Sequence, residues 1–130
     1  MLVLNGVEAV YSDVILAVKG ISLEVPAGKC VVLLGGNGAG KSTTLKSISN
    51  IIRTEDGRVT SGSIEFEGER IDNADPASIV QRGLVHIMEG RRVLRHLTVD
   101  QNLLVGGHML ASGSELRGQL DEVYERIPRL

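Results

Sequence analysis

The sequence is poor in aromatic residues and in cysteine. Aromatic residues make up 2% of its 130 residues and tryptophan is absent, so a core must be built from Leu, Ile, Val and Ala. The single cysteine, Cys30, excludes a disulfide within the chain and fits a reducing cytoplasm. No apolar run is long enough to span a bilayer, and the N-terminus lacks the pattern of a signal peptide. Any role at a membrane is therefore predicted to be peripheral.

The charge balance also excludes some partners. The formal net charge is -2, and this lack of a basic excess disfavours nucleic acid as the main partner. A hydrophobic share of 42% and a charged share of 23% predict a globular domain or part of one. Sixteen glycines are many for this length and indicate tight turns or sites lined by backbone.

Several segments have the composition or the period-two alternation of β-strands. They are "VLNGVEAVY", "GISLEV" and "GSIEFEGE", with Ile64 and Phe66 of the last facing inward. Residues 30–34, "CVVLL", are continuously apolar, which is typical of a strand buried on both faces. Cys30 is accordingly predicted to be a small buried hydrophobe. A short apolar strand, "LVHI", is predicted over residues 84–87.

Helical spacing begins near Lys41, and capping signals predict three more helices. Asp75 precedes a proline and is predicted to be an N-cap, Thr98 forms a capping box with Gln101, and Ser114 is predicted to cap the last helix. Two apolar sets recur at helical intervals: Leu45, Ile48, Ile51 and Ile52 in the first helix, and Leu116, Leu120, Val123 and Ile127 in the last. Strands alternating with helices predict an α/β class with antiparallel strands at the front.

A glycine-rich loop between the predicted strand 30–34 and the first helix carries the strongest signal. It fits the pattern G-x-x-x-x-G-K-[ST] with Gly35, Gly36, Asn37, Gly38, Ala39, Gly40, Lys41 and Ser42. Glycine lets the backbone N–H groups approach a phosphate chain closely, and the following helix points its positive end at the same phosphates. Lys41 is predicted to contact the β and γ phosphates, and Ser42 to bind Mg²⁺. The alternative, a glycine-rich turn that matches by chance, is disfavoured by the flanking strand and helix.

The residues around this loop make a family resemblance visible. "GNGAGKSTTLKSIS" resembles the ATP-binding subunits of ABC transporters, and the resemblance extends through "GSIEFEGERI" to "IVQRGLVHIMEGRRVLRHLTVDQNLLVGG". The E-G-R-R segment followed by L-T-V, and "YERIPRL", are similar to the subfamily that serves branched-chain amino acid importers. The resemblance implies a P-loop NTPase fold of the ABC type. Residues 1–130 would be the N-terminal part of one domain, with an antiparallel β subdomain and the start of a helical subdomain.

The resemblance also implies roles for individual residues. Tyr11 falls where the family places an aromatic ring that stacks on adenine, and Thr43 lies beside the loop. Glu89 falls at the Q-loop position, which contacts Mg²⁺ and the attacking water, so Glu89 and Lys41 are the candidate catalytic residues. Glutamate rather than glutamine at that position agrees with the branched-chain subfamily. Met88 stands where that subfamily usually has proline, a departure that concerns the conformation of the Q-loop.

Three family motifs are missing from the 130 residues: the L-S-G-G-Q signature, the Walker B aspartate with its catalytic glutamate, and the switch histidine. The chain alone is therefore expected to bind ATP without hydrolysing it. The implied whole protein is an ATPase that uses ATP and Mg²⁺, peripheral on the cytoplasmic face of the membrane. Its implied partners are transmembrane permease subunits, a second ATP-binding subunit and, indirectly, a periplasmic or extracellular solute-binding protein.

Alternatives remain open at this point. The importer could serve urea or short-chain amides. A non-transport ABC ATPase acting in DNA repair or on ribosomes would usually need coiled-coil or basic insertions, and none is visible; a module that only binds nucleotide is a third reading. His86, His96 and His108 lack the spacing of metal ligands. The basic cluster Arg91, Arg92 and Arg95 is either a solvated loop or a docking site for a membrane subunit.

Overall fold

The computed structural model describes residues 1–90, 92–108 and 113–130. They form two compact units, residues 1–86 and residues 87–130. The strands are β1 (Leu2–Tyr11), β2 (Ile15–Val25), β3 (Gly57–Phe66) and β4 (Glu69–Arg70); the α-helices are α1 (Lys41–Ile48), α2 (Pro76–Gln81), α3 (Val99–Gly106) and α4 (Gly113–Arg126), and a 3₁₀ helix covers Ile51–Glu55. Within the described ranges, no helix is both long and apolar enough to cross a bilayer.

The first unit is built on a four-stranded antiparallel sheet in the order β2-β1-β3-β4. A tight turn joins β1 to β2, and both of its central residues, Ser12 and Asp13, have positive φ values of 49° and 56°. Such a turn matches the right-handed twist of a hairpin. At this end of the sheet, Tyr11 lies opposite Ile15 on β2 and opposite Gly57 on β3. The two strand segments predicted at the front of the chain are confirmed, and the third, residues 62–69, covers the end of β3, the turn after it and the start of β4.

One face of the sheet packs against α1 and α2 to form the main core. As predicted, Ile64 is fully buried, while Phe66 is half-buried and packs against the same core. The buried members of this cluster are Leu4, Val7, Ile48, Ile64, Ile71 and Ile79. Burial of an aliphatic side chain of this size contributes about 1.5–3 kcal/mol each, so these six aliphatic residues take the place of the aromatic residues that the chain lacks.

The predicted helix ends are confirmed where a local capping interaction fixes them. The Asp75 carboxylate accepts a hydrogen bond from the Ala77 N–H at 3.0 Å and begins α2. The reciprocal capping box of Thr98 and Gln101 begins α3. Ser114 does not cap α4, because the helix already includes Gly113.

The first helix is shorter than its apolar spacing predicts. It ends at Ile48, and Asn50 follows with a left-handed φ of 57°, a conformation that stops an α-helix. Ile52 is still fully buried, but it is carried by the 3₁₀ helix, whereas Leu45 is 48% exposed. In α4, the Leu116, Leu120 and Val123 side chains line a groove of about 280 Å³ against α3, and Ile127 is exposed.

The prediction of a buried strand over residues 30–34 is wrong. These residues form no strand; Val32 is 69% exposed, Leu34 is 88% exposed and Cys30 is also exposed. Residues 84–87 likewise form no strand. A strand is stable only when neighbouring strands satisfy its N–H and C=O groups, and the four strands of the described sheet pair with each other rather than with these segments.

A buried carboxylate holds the end of β3 to the segment after β4. The Arg70 guanidinium donates to both oxygens of Asp72 at 3.0 Å, and the Ile64 N–H donates to Asp72 Oδ1 at 3.4 Å. The Arg70 hydrogen bond lowers the pKa of Asp72, and the Ile64 N–H acts in the same direction, while burial opposes them. Asp72 is 7% exposed, so its charge depends on these partners.

Replacing this carboxylate should remove a pH-dependent part of the stability. Because the pKa of Asp72 is lowered on folding, its contribution is present above the unfolded pKa of about 3.9 and is lost as the pH falls through the folded value. We expect Asp72→Asn to lower the free energy of unfolding at neutral pH by only about 1 kcal/mol, since solvent around the exposed Arg70 guanidinium screens the ion pair. Urea titrations should show that the difference in free energy of unfolding between the wild type and Asp72→Asn decreases as the pH falls through the acid range. Equal pH dependence of both proteins would contradict the prediction; exposed Glu24→Gln is the control.

Candidate functional site

The predicted phosphate loop lies directly before α1. As the sequence predicts, the helix begins at Lys41, and Gly40 is its N-cap. Gly38 and Gly40 have φ values of 79° and 84°, in the left-handed region that side chains rarely adopt. The glycines therefore give the loop a backbone path that other residues would resist.

The last glycine of the loop lies against the backbone of β2. A Cβ atom on Gly40 would come within 2.7 Å of the Ala17 carbonyl oxygen and 3.4 Å of Val18 Cγ2. A Cβ on Gly35 would come within 3.0 Å of the Ala39 Cβ, across the loop. The loop is thus packed closely on the sheet and on itself, and two of its glycines are needed for space.

The Lys41 side chain folds back over the loop. Its ammonium nitrogen donates hydrogen bonds to the carbonyl oxygens of Gly35 and Gly36, both at 2.7 Å. These contacts hold a full positive charge at the loop, where a phosphate oxygen would be a stronger, charge-assisted partner than a neutral carbonyl.

The N-terminal end of α1 adds to the positive potential. Gly40 supplies no side-chain cap, and the first turn carries no acidic residue, so no carboxylate of the helix itself offsets its positive end. Thr44 Oγ1 donates to the Gly40 carbonyl at 2.9 Å, which fixes the first turn against the loop. Together with Lys41, this helix end forms an environment suited to an anion. The roles of Ser42 and Thr43, and those of Asn37 and Ala39, stay predictions.

A cavity of about 470 Å³ opens between the loop and β2. Its lining residues come from the strand, the loop and α1: Ala17, Val18, Lys19, Ile21, Gly38, Ala39 and Thr44. Sequence analysis did not single out the β2 residues among them. The apolar alternation of the strand could have placed Val18 inward, but no local signal shows that the loop comes to lie on it.

Tyr11 and the loop approach the same small cluster of the first unit. The ring of Tyr11 packs against a buried cluster of Ala9, Val18 and Ile52, and Val18 also faces Gly40. Tyr11 lies opposite Ile15, two residues before Ala17, which corresponds to about 7 Å along the strand. Tyr11 is therefore partly a core residue, and it remains partly accessible.

Glu89 belongs to the second unit, residues 87–130. Its carbonyl oxygen accepts a hydrogen bond from Arg92 Nε at 3.2 Å, and Gly90 follows with a φ of 82°. The predicted approach of Glu89 to Mg²⁺ at the loop stays a prediction. Arg91, in the predicted basic cluster, lies outside the described residues. Among the described residues, no group of three or more His, Cys, Asp and Glu side chains is placed to hold a metal ion.

Comparison with known proteins gives a matching family model and relatives that are ATP-binding proteins of transport systems. The family model of the ABC transporter domain matches residues 18–129. The high-affinity branched-chain amino acid transport ATP-binding protein BraG of Pseudomonas aeruginosa is 38% identical over 120 residues, covering 92% of this chain and 49% of its own length. The sn-glycerol-3-phosphate import ATP-binding protein UgpC of Brucella abortus is 34% identical over 105 residues, covering 81% of this chain and 28% of its own. The chain thus spans about half the length of BraG and 28% of the length of UgpC.

A solved structure shows the same fold. A nucleotide-free ATP-binding cassette from an ABC transporter superposes with a TM-score of 0.71 and 27% sequence identity, covering 89% of this chain and 44% of that one. The predicted fold class, the N-terminal part of an ABC-type P-loop domain, is confirmed. The matched family model spans most of the chain and includes the phosphate loop and α1, so the chain belongs to the ABC transporter family.

Proposed function

We propose that this chain binds the phosphates of ATP, with Mg²⁺, at the loop of residues 35–43. The observation that carries the proposal is the Lys41 ammonium, held at 2.7 Å by the Gly35 and Gly36 carbonyls beside the positive end of α1. A bound triphosphate would exchange these two neutral partners for anionic oxygens. A cavity also lies between the loop and β2, lined by Gly38 and Ala39 of the loop and by Thr44 of α1.

The proposed reaction of the whole protein is hydrolysis of ATP by water. Catalysis in this class depends on positioning and charge neutralisation. In this scheme Lys41 neutralises the β and γ phosphates, the Ser42 hydroxyl binds Mg²⁺, and Glu89 contacts Mg²⁺ and the water. The 130 residues contain no signature or Walker B segment, so this chain by itself is proposed to bind ATP without turnover.

Removing the lysine charge should weaken ATP binding. We expect Lys41→Ala to cost at least ~1.5 kcal/mol, or about tenfold in Kd, because it deletes a charge-assisted contact with the phosphates. Isothermal titration calorimetry with Mg-ATP measures the effect. Lys46→Ala is the matched control, since Lys46 lies on the same helix but pairs with Glu55 at 2.6 Å. Equal affinity of wild type and Lys41→Ala would reject the site.

The base of ATP is proposed to stack on Tyr11. Two observations support this: the Tyr11 ring and Gly40 contact the same Val18-containing cluster, and the ring is only half-buried. A nucleotide with its phosphates at the loop could therefore extend along β2 toward the β1–β2 turn. Stacking needs an accessible ring face, and it does not depend on the identity of the base, because every base has a π-face.

Truncating the ring should separate base binding from phosphate binding. We expect Tyr11→Ala to weaken ATP by about 1–3 kcal/mol, the scale of base–aromatic stacking, and to leave inorganic triphosphate unchanged. Parallel calorimetric titrations with both ligands give the comparison, with Tyr124→Ala, the only other tyrosine, as control. If both ligands weakened alike, Tyr11 would be a core residue only.

The whole protein is proposed to serve an importer of branched-chain amino acids. The support is the printed function of BraG, which matches more of this chain at higher identity than UgpC does, together with the segment "MEGRRVLRHLTVDQNLLVGG". The partners would be transmembrane permease subunits, a second ATP-binding subunit and, indirectly, a solute-binding protein. The location would be the cytoplasmic face of the membrane. Since the ATPase does not touch the solute, its identity requires a transport measurement.

Deleting the gene should abolish uptake of leucine, isoleucine and valine. The measurement follows labelled leucine, labelled urea and labelled glycerol 3-phosphate in the deletion strain and in the strain complemented with the wild-type gene. A strain without other leucine importers is needed so that the defect is visible. Normal leucine uptake with loss of urea uptake would assign the urea class instead, and loss of glycerol 3-phosphate uptake would assign the class of UgpC.

A further inference from the structure

The backbone conformation at Gly57 does not require glycine. Gly57 is the first residue of β3 and lies opposite Tyr11 in the β1–β3 register. Its φ is not among the positive values that favour glycine, so the backbone at this position would accept other residues. The reason for glycine must therefore be space.

The space beside Gly57 is taken by the ring of Tyr11. A Cβ atom on Gly57 would lie 2.9 Å from both Cδ1 and Cε1 of Tyr11, and 2.5 Å from Ile52 Cγ1. Both distances are shorter than real carbon contacts allow. Ile52 is fully buried, whereas Tyr11 is half-buried, so the ring is the neighbour that is less confined. An added methyl group would push the ring outward.

The residues on both sides of Gly57 contact the β1–β2 turn, Asp56 through its backbone and Arg58 through its side chain. The Asp56 carbonyl accepts a hydrogen bond from the Ser12 N–H at 2.8 Å. On the other side, Arg58 Nε donates to Asp13 Oδ1 at 2.7 Å. Gly57 and Arg58 also pair with Tyr11 and Val10 in the β1–β3 ladder, so the Gly57 backbone is held beside the ring.

We propose that Gly57 is a positioning residue for nucleotide binding: the bare α-carbon sets where the Tyr11 ring rests, and so where it meets the base. The proposal rests on the proposed function, in which Tyr11 stacks on the base of ATP. Gly57 itself touches no ligand in this scheme. Gly57 acts on the base through the Tyr11 ring. The phosphate loop, which meets the same cluster at Val18, is unchanged.

The experiment compares ATP with inorganic triphosphate on the Gly57→Ala protein. We expect ATP affinity to fall about fivefold or more, with triphosphate affinity unchanged, because only the base contact is displaced. Gly118→Ala is the matched control: Gly118 also has an unexceptional φ, and a Cβ there would meet nothing within 4 Å. Unchanged ATP affinity in a folded Gly57→Ala protein, with a clear effect of Tyr11→Ala, would overturn this inference alone. An absence of any base effect in Tyr11→Ala would instead overturn the stacking proposal.

A double-mutant cycle tests that the effect passes through the ring. Adding Gly57→Ala to Tyr11→Ala should change ATP affinity no further, because the ring that the methyl group displaces is gone. Additive losses would show that Gly57 acts by another route and would overturn the inference.

If Gly57→Ala does not fold, nuclear magnetic resonance on the wild-type protein tests whether Gly57 sets the position of the Tyr11 ring. Nuclear Overhauser contacts between the Gly57 α-protons and the Tyr11 ring, retained when ATP shifts the ring signals, support the inference. Loss of those contacts on ATP binding overturns it, since the ring would then meet the base from a place that Gly57 does not set. Tyr124→Phe identifies the Tyr11 signals.

Discussion

The arrangement of this site depends on one close approach, that of the Gly40 backbone to the Ala17 carbonyl of β2. No side chain fits between them, since a Cβ would lie 2.7 Å from the carbonyl oxygen. This approach fixes where α1 begins, and with it the direction of the helix axis and of the Lys41 side chain. It also puts the loop on the face of the sheet that carries Val18, whose cluster receives the Tyr11 ring. This contact between two backbones thus acts at the start of α1, while Ile48 near its end packs in the main core.

Sequence reasoning succeeded where a feature is produced by neighbouring residues. Asp75 begins α2 and Thr98 with Gln101 begins α3, because a cap needs only side chains and N–H groups within one turn. The start of α1 after Gly40 follows from the loop pattern itself. The strands of the antiparallel sheet were also predictable, since their alternation is a local pattern, whereas the pairing of β1 with the distant β3 was not. The bulges that shift the β1–β2 register near Val7 and Ala9 were not predictable, because they depend on packing across the sheet.

Sequence reasoning failed where the outcome depends on distant partners. The composition of residues 30–34 predicts burial, but burial of a strand is decided by the strands beside it. Gly57 shows the opposite case. In the sequence it reads as a turn signal after Glu55 and Asp56, and nothing local indicates that the ring of a residue 46 positions earlier occupies the place of its side chain. The site could thus be located from the sequence, but the residues that shape its walls could not.

The exposed segment at residues 30–34 has a practical consequence for the isolated chain. Val31, Val32 and Leu34 present apolar side chains to water, and their backbone belongs to none of the strands described. An exposed, apolar and uncharged segment of this kind can pair with the same segment of other molecules. Self-association of the chain should therefore rise with its concentration. Titrations of this chain should use the lowest protein concentration that gives a signal, and light scattering should be recorded to detect self-association.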